Sequence, residues 1–379
     1  MLTAAVLVLS ALHAPTLTPG VVSVDSPTAV RYNGGQKAVN YVVVTRSGRT
    51  VTIDDRVPVR AGKGCVAVKG DSTRVRCTTA QTPTSVLVFT YDYNDTIVNK
   101  SDLSMTANGG PGSDKIYGGP ASDFLQGDTF TGPNPGNDSI WGYGGRDFLI
   151  GAGGDDGLNG GDGDDYLDTY IAGPVGGVNP AAQLGNDRLY GGNGNDWAVG
   201  GAGDDLLSGG AGGDTLEAGP GTNVVWGGEG NDSMSGGTGP DVFHGGPGTK
   251  DAVNYNGRSN PITADLDGAA GDDGERGEGD TIGADVEWLY GGTGDDVLTG
   301  NDADNEISGW LGDDIVRGGA GNDFLAGTQG HDQVYGEAGD DDLRVMDFEE
   351  SGTPDLADGG PGTDTCQADS DDSVVRCER

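Results

Sequence analysis

The sequence is poor in basic residues, aromatic residues and apolar residues generally. Its 379 residues include 21 Lys and Arg against 60 Asp and Glu, which gives a net charge of −39. Such a charge excludes nucleic-acid binding through a basic surface, and an anionic membrane would repel the chain. Only 34% of residues are hydrophobic and 6% aromatic, too few for a large mixed α/β enzyme core. We therefore expect partners that are cations, or surfaces that accept cations, with no nucleic acid and no membrane insertion.

The sequence also lacks the motifs of common catalytic sites. Its three histidines, His13, His244 and His331, form no H-E-x-x-H motif, and no G-x-S-x-G elbow occurs. The G-x-G-x-x-G matches have no βαβ context, and the Asp spacing never completes an EF-hand loop. Asp-Asp pairs resemble glycosidase carboxylates, but the repeat described below accounts for them as metal ligands or neighbours of ligands. We predict that the chain is not an enzyme.

Long hydrophobic runs are missing as well. The apolar run at residues 4–12 is too short to span a bilayer. It fits the hydrophobic part of a secretory signal peptide, although no Lys or Arg precedes it and the cleavage site is not defined. We predict a signal peptide over residues 1–20 and an extracellular protein. A buried N-terminal strand is the alternative.

Cysteine is scarce and comes in two close pairs, Cys65 with Cys77 and Cys366 with Cys377. An even number of cysteines in close pairs is typical of disulfides in exported proteins. The spacing lacks the C-x-x-C pairs of a zinc site. We predict two small disulfide loops, with free thiols as the alternative.

Glycine, in contrast, is abundant, with 74 residues, and it recurs in a nine-residue unit. Residues 109–117 read GGPGSDKIY, and residues 318–326 read GGAGNDFLA. We count twenty units: thirteen within residues 109–244, six within 291–344, and one at 359–367. Internal repetition of this kind indicates a solenoid in which each unit stacks on its neighbours.

Two positions of the unit are nearly constant. The eighth residue is apolar, as in Ile116 and Leu325, and is Cys366 in the last unit. The sixth residue is aspartate except in two units, where Asn223 and Asn305 offer only a neutral oxygen and are expected to make weaker sites. The sixth-position aspartates are Asp114, Asp123, Asp138, Asp147, Asp156, Asp165, Asp187, Asp196, Asp205, Asp214, Asp232, Asp241, Asp296, Asp314, Asp323, Asp332, Asp341 and Asp364.

The chemistry of one unit predicts a metal site. Glycines allow a tight turn with positive φ, and a short strand follows in which the eighth residue points inward. Stacked units then form a thin core from their eighth residues and bring the aspartates of successive turns together. Hard divalent cations remove the repulsion between carboxylates, and oxygen-only ligands suit Ca²⁺ better than Mg²⁺. We predict that the sixth-position aspartates bind multiple Ca²⁺ ions.

The unit resembles the RTX nonapeptide GGxGxDxUx of hemolysin-type calcium-binding proteins. The overall layout is similar to that of secreted RTX proteins of actinobacterial type. The resemblance implies an all-β fold, a parallel β-roll in which two units make one coil. It also implies that Ca²⁺ lies between turns on the same side, held by aspartate side chains and turn carbonyls.

Some segments depart from the pattern. Residues 245–253 read GGPGTKDAV, so Lys250 stands at the sixth position and is expected to abolish that site. Insertions at about 128–134 and 169–184 are expected to interrupt the array as loops or as excursions between coils. Residues 262–267 alternate like a strand, and Leu289 restores the register at an eighth position.

An acidic stretch lies between the predicted strand at 262–267 and Leu289. It contains Asp272, Asp273, Glu275, Glu278 and Asp280. We favour a solvated loop, with a further cation site as the alternative.

These features divide the chain into six predicted segments. They are residues 1–20, a signal peptide; 21–107, a small β module in which Cys65–Cys77 joins a hairpin or adjacent strands; 108–249, the first array; 250–290, an acidic β insertion; 291–344, the second array; and 345–379, the final repeat with a C-terminal disulfide cap.

Aromatic residues at the ninth position form a second candidate site. Tyr117, Trp141, Tyr190 and Trp226 belong to odd-numbered units, so two units per coil would place them on one sheet face. Exposed aromatics on one face are typical of binding to a glycan or protein partner at a cell surface or in a matrix. The alternative is the simple preference of aromatic residues for strands, or burial under residues 21–107.

Overall fold

A computed structural model describes residues 18–128, 136–169, 185–347 and 354–378. The predicted signal peptide and the predicted insertions at 128–134 and 169–184 lie almost entirely outside the described residues. Within these ranges the secondary structure is β, and no helix there is long and apolar enough to cross a membrane.

The described residues form 37 strands, most of them three to six residues long. In chain order the strands are β1 (Gly20–Ser26), β2 (Ala29–Asn33), β3 (Tyr41–Ser47), β4 (Thr50–Asp54), β5 (Val59–Ala61), β6 (Cys65–Ala67), β7 (Arg74–Thr78), β8 (Ser85–Phe89), β9 (Thr96–Asn99), β10 (Ser104–Asn108), β11 (Lys115–Gly119), β12 (Phe124–Gln126), β13 (Ser139–Gly144), β14 (Phe148–Ile150), β15 (Gly157–Asp162), β16 (Tyr166–Asp168), β17 (Arg188–Asn193), β18 (Trp197–Val199), β19 (Leu206–Ala211), β20 (Thr215–Glu217), β21 (Val224–Glu229), β22 (Ser233–Ser235), β23 (Val242–His244), β24 (Ala252–Asn254), β25 (Ile262–Asp265), β26 (Gly274–Glu275), β27 (Thr281–Ile282), β28 (Trp288–Tyr290), β29 (Val297–Thr299), β30 (Glu306–Leu311), β31 (Ile315–Ala320), β32 (Phe324–Gln329), β33 (Gln333–Ala338), β34 (Asp342–Val345), β35 (Leu356–Asp358), β36 (Thr365–Ala368) and β37 (Ser373–Val375).

The strands form three sheets, which we call sheets A, B and C. Sheet A has 17 strands and runs from β5 through β1, β2, β8 and β10, then through the even-numbered strands β12 to β24, and finally β28 to β36. Sheet B has 13 strands and runs β6–β7–β4–β3–β9, then through the odd-numbered strands β11 to β23, to β27. Sheet C has seven strands and runs β26–β25–β29–β31–β33–β35–β37.

Each coil of the solenoid contains two nonapeptide units, one in sheet A and the next in the facing sheet. Ile116 pairs with Ile140 two units on in sheet B, while Leu125 pairs with Leu149 in sheet A. These eighth-position side chains are fully buried and point between the sheets. The fold is thus an all-β parallel β-roll whose core is about one side chain thick, which confirms the expected fold class.

The sheets of the first array continue toward the N terminus. Strand β9 pairs in parallel with β11, and β8 and β10 extend sheet A. Antiparallel strands then close the end of the roll, where Cys65 and Cys77 lie opposite each other on β6 and β7 and form a disulfide. The predicted hairpin disulfide is therefore confirmed. Hydrogen-bonded strands cross the predicted boundary at residue 107, so folding of 21–107 as a separate domain stays a prediction.

The insertion between the arrays changes one sheet and leaves the other intact. Sheet A continues from β22 through β24 to β28. Sheet B ends at β27, and sheet C begins with the antiparallel pair β25 and β26. The two arrays are thus joined by one continuous sheet, and the predicted strand at 262–267 is present as β25.

The acidic stretch of the insertion is only in part the solvated loop that we expected, with Asp272 exposed. Asp273 and Asp280 are buried and face each other across a β-bridge. The Arg258 guanidinium lies 3.1 Å from carboxylate oxygens of both Glu275 and Glu278. The expectation failed for the other residues because their charges have partners: hydrogen bonds from main-chain N–H groups and an arginine offset the cost of their burial.

At the C terminus, β36 ends sheet A and β37 ends sheet C. A disulfide joins Cys366 to Cys377, which confirms the second predicted pair. The described residues contain no free cysteine.

Candidate metal sites along the turns

The turns between strands are shaped by glycines in the second and fourth positions of the unit. Gly192 and Gly194 have φ angles of 121° and 137°, which L side chains rarely adopt. A Cβ atom on Gly194 would lie 2.0 Å from the carbonyl oxygen of Gly163, its counterpart one coil earlier. The fourth-position carbonyl of one turn therefore points at the backbone of the next turn, along the stacking direction. The second-position carbonyl points along the stack in the same way: a Cβ atom on Gly192 would lie 2.1 Å from the carbonyl oxygen of Gly161.

The sixth-position aspartates link successive turns. The main-chain N–H of Asp138 donates to Oδ1 of Asp156, with an N–O distance of 2.7 Å, and Asp196 donates to Asp214 at 2.8 Å. All eighteen predicted site residues are buried, none with more than 4% of its surface exposed. The structure therefore brings them together in columns at the turns rather than scattering them on the surface.

Three columns are present among the described residues, each made of sixth-position residues. Column 1 contains Asp95, Asp114, Asp138, Asp156, Asp187, Asp205, Asn223, Asp241 and Asp280. Column 2 contains Asp123, Asp147, Asp165, Asp196, Asp214, Asp232, Asp251 and Glu287, and then Asn305, Asp323, Asp341 and Asp364. Column 3 contains Asp296, Asp314, Asp332, Asp355 and Asp372.

The second carboxylate oxygen of most column members accepts no hydrogen bond. Oδ2 is buried and without a partner in fourteen of the eighteen predicted aspartates, among them Asp138, Asp205 and Asp314. It sits inside the turn: a Cβ on Gly191 would lie 2.3 Å from Oδ2 of Asp196 in the same unit. A buried carboxylate oxygen without a partner is costly. Carboxylate oxygens and turn carbonyls are the donor set that Ca²⁺ prefers, so these residues fit the ion.

The electrostatics of the columns point the same way. Burial raises the pKa of Asp156 to about 9, and the nearby carboxylate of Asp138 adds repulsion. Burial also raises the pKa of Asp147 and of Asp314 to about 7, with weaker repulsion from neighbouring carboxylates. Without a bound ion, the protein therefore disfavours the ionised form of these aspartates. A bound cation would offset both the cost of burying the carboxylates and their mutual repulsion.

One departure was predicted wrongly. Asp251, not Lys250, occupies column 2: Asp251 is fully buried, and its Oδ1 accepts the main-chain N–H of Asp232 at 2.9 Å. The turn at 245–251 holds one additional residue, so Val253 still takes the eighth-position place beside Met234. The Lys250 ammonium lies outside, 5.0 Å from the ring centroid of Trp288. The position expected to lack a carboxylate therefore has one.

The structure also adds column members that sequence reasoning missed. Asp95 and Asp355 are buried, and each has an Oδ2 without a partner. Asp95 belongs to residues 90–98, TYDYNDTIV, where Tyr91 and Tyr93 adopt the positive φ that glycine normally supplies. The signal was the pairing of Asp95 with Ile97 at the sixth and eighth positions, which the missing glycines obscured. Glu287 likewise stands at a sixth position, two residues before Leu289.

The four predicted aromatics do lie on one face. Tyr117, Trp141, Tyr190 and Trp226 all belong to sheet B, with Asn159 between the second and third and Ser208 between the third and fourth.

A second aromatic row was missed because it uses the seventh position. Phe124, Phe148, Tyr166 and Trp197 follow one another along sheet A, with ring centroids 4.5 to 5.4 Å apart. The chain therefore carries aromatic rows on both outer faces of the first array.

Comparison with known proteins adds one finding. The family profile for the RTX calcium-binding nonapeptide repeat matches six stretches that together cover half of the chain: 106–130, 134–167, 182–216, 217–249, 281–316 and 317–344. None of the curated proteins compared with the chain matches it.

Proposed function

We propose that this chain, which belongs to the family of RTX calcium-binding nonapeptide-repeat proteins, is a secreted protein that folds when its turns bind Ca²⁺. It is a calcium-binding β-roll protein; secretion and calcium-driven folding are the proposal. The observation that carries the proposal is the set of buried Oδ2 atoms without a hydrogen-bond donor.

The proposed ligands are the eighteen sixth-position aspartates together with Asp95, Asp251 and Asp355. Fourteen of the eighteen, together with Asp95, Asp251 and Asp355, have an Oδ2 without a hydrogen-bond partner to contribute, and the second- and fourth-position carbonyls of adjacent turns would complete the oxygen donors. When bound, Ca²⁺ supplies positive charge between carboxylates that otherwise repel one another. The role of the chain is to hold these oxygens in register through the N–H to Oδ1 hydrogen bonds.

Ion binding and folding are expected to be coupled. One unit buries a single apolar side chain, so the columns of carboxylates oppose a core that is only weakly stabilising. Binding energy then appears as folding energy. Extracellular calcium modules bind with Kd values of about 10⁻⁴–10⁻³ M. Such affinities would leave the chain unfolded at low cytosolic calcium and fold it after export.

A calcium titration followed by far-UV circular dichroism tests the proposal, with magnesium as the control ion. We expect a cooperative change from coil to β structure with calcium alone. A chain that is already β-structured in chelator, or one that responds equally to magnesium, would contradict calcium-driven folding. Proteomics of the culture medium tests secretion: we expect peptides from the chain after residue 20 and none from the predicted signal peptide at residues 1–20.

A second candidate function is adhesion, with calcium as the structural support. The exposed rings on the outer face of sheet B favour it, because Tyr190 and Trp226 are 39% and 47% exposed. Replacing Trp141 and Trp226 by alanine would separate the two functions: loss of surface or glycan binding at unchanged calcium affinity supports adhesion.

A further inference from the structure

Two pairs of stacked rings stand upright on sheet B. Tyr117 and Trp141 stack with centroids 4.6 Å apart and planes within 5°, and Trp226 stacks on His244 at 3.9 Å. Neighbouring strands are about 4.8 Å apart, so rings stacked at this distance lie across the long axis of the roll. Trp141 and Trp226 each have one face covered by a neighbour, and their other faces look toward Tyr190.

The register places Tyr190 between these two open faces with one short residue on each side, and we call the two positions beside it slots. Asn159 lies between Trp141 and Tyr190, and Ser208 lies between Tyr190 and Trp226. The ring-bearing strands on each side of a slot are two strand spacings apart, about 10 Å. Two van der Waals contacts of about 3.5–4.0 Å each leave room for one flat group between the rings. Short side chains at the base keep the slots open.

The second array shows what such a position accepts. On sheet C the Arg317 guanidinium lies over the ring of Tyr335, its register partner one coil on, 4.5 Å from the centroid. On sheet A, Arg344 lies 4.5 Å from the centroid of Phe324. In both cases an arginine side chain of the protein covers an aromatic ring on an adjacent coil. In the first array, the ninth-position neighbours of Tyr190 are Asn159 and Ser208 instead.

The surface beside the slots is a trough. Gly161, Gly192 and Gly210 form its floor, and Tyr143 closes one end. Tyr143 has a φ of 77° and is 54% exposed, although glycine occupies this position in the following coils. A bulky residue with positive φ is a strained exception. Ala152, Trp310 and Glu337 adopt a positive φ at the same position of their units, so the turn imposes this conformation, and the exposed Tyr143 ring is accessible to a partner.

Charge around the trough favours a cationic partner. Asp162 and Glu229 line the trough, and Asp155, Asp164 and Asp204 are exposed carboxylates of the coils between Trp141 and Trp226. The exposed guanidinium groups of the same region are those of Arg146 and Arg188. Negative charges therefore outnumber positive ones beside the open ring faces.

We infer that this face of the first array binds a basic polypeptide segment, whose arginine or lysine side chains enter the two slots. The inference deepens the adhesion candidate and rests on the folded β-roll of the proposed function. Cations are attracted to ring faces, and the flanking carboxylates add to the attraction. Upright rings present slots, whereas a glycan chain stacks on rings that lie flat along its path.

A matched pair of variants tests the inference. Ser208→Arg would place a guanidinium of the chain itself in one slot, as Arg317 does against Tyr335. Ser235→Arg makes the same change of charge on sheet A, away from the slots. The probe is a fluorescein-labelled oligoarginine peptide, and the readout is fluorescence anisotropy with calcium-loaded protein at physiological ionic strength. We expect Ser208→Arg to weaken binding about threefold or more relative to Ser235→Arg.

A second pair guards against misfolding and against a purely electrostatic effect. Combined replacement of Trp141, Tyr190 and Trp226 by alanine leaves the net charge unchanged, and we expect about tenfold weaker binding. Trp197→Ala, on sheet A, should bind as the wild type. Equal affinities within both pairs would overturn the inference and leave net charge as the only attraction. Retention on insoluble chitin or cellulose that is lost in the triple variant alone, with oligoarginine binding unchanged, would overturn it in favour of a glycan.

Circular dichroism of the same samples with and without calcium separates the two proposals. A wild-type chain without a calcium-induced transition counts against the proposed function. A normal transition combined with equal affinities within both pairs counts against the partner inference alone.

Discussion

The two arrays of the roll share their interior and differ on their outer faces. Leu207 in the first array and Leu325 in the second are both eighth-position residues and both fully buried. Outside, the ring of Tyr335 in the second array has Arg317 of the same chain over it, while Tyr190 in the first array lies between Asn159 and Ser208. The repeat therefore restricts the residues that stack inside the roll and leaves the outward positions free to vary.

The reason for this difference is physical. A change at the sixth or eighth position affects the adjoining coils, because hydrogen bonds and packing there are made between coils. A change at the seventh or ninth position meets mainly solvent. Interior positions are thus expected to serve calcium binding and folding in both arrays, and outer positions to distinguish them.

The largest expected effect is that of pH on the calcium-free chain, because every column contributes. Burial raises the pKa of Asp147 in the first array and of Asp314 in the second to about 7, above the ordinary value of about 4. The folded chain therefore holds protons that the unfolded chain has released, and stability falls as pH rises through this interval. Without calcium the chain is expected to be unfolded near pH 8, and we expect it to gain β structure with a measurable melting transition near pH 5, where the column carboxylates are protonated.

Thermal melting followed by circular dichroism in chelator measures this dependence, and limited proteolysis shows whether both arrays follow it. A melting temperature that rises with pH would contradict the assigned pKa shifts. Protection of one array alone at low pH would show that the columns of the two arrays differ electrostatically.

The next effect concerns the connection between the arrays. Arg258→Met would leave Glu278, whose side chain is 5% exposed, without its ion-pair partner. Loss of one partner of a buried pair costs about 3–5 kcal/mol, and we expect the calcium-loaded chain to unfold in two steps instead of one. Arg317→Met is the control, because the Arg317–Glu337 pair is exposed and worth at most about 1 kcal/mol. A single unchanged transition in Arg258→Met, measured by calorimetry, would show that sheet A alone couples the arrays.

Core substitutions test whether the two interiors are equivalent. Leu207→Ala and Leu325→Ala each remove a buried eighth-position side chain, and each should destabilise the calcium-loaded roll by about 2–5 kcal/mol. Urea denaturation measures both. A cost for Leu325→Ala far below that for Leu207→Ala would break the equivalence and mark the second array as more loosely packed.

The smallest effect is the loss of a single ligand. Asp205 and Asp314 are buried column members, while the preceding Asp204 and Asp313 are exposed. Asp205→Asn or Asp314→Asn should remove about one bound calcium ion. Asp204→Asn and Asp313→Asn make the same change of charge and should leave the number unchanged. Isothermal titration calorimetry gives the stoichiometry, and equal losses from buried and exposed variants would contradict the column assignment.

Much of the fold was accessible from the sequence because the repeat is local and periodic. The inward eighth position follows from counting nine residues at a time. Two units per coil was implied by the resemblance to the RTX nonapeptide, and the shared face of Tyr190 and Trp226 follows from the two together. The turn at Lys250 and Asp251 could not be read in this way, because an additional residue in a turn shifts the numbering without shifting the stack. Asp95 was missed because tyrosines replace the glycines of its turn.

The repeat unit follows from local sequence alone: a turn rich in glycine, a carboxylate, and a three-residue strand with one buried side chain. These are properties of neighbouring residues, and they repeat wherever the pattern repeats. Packing of the coils in three dimensions selects which carboxylates join a column, how one sheet passes through the insertion, and which aromatic faces stay uncovered. Those outcomes depend on contacts between coils 18 or more residues apart, where the register of the stack, and not the local pattern, selects the partner.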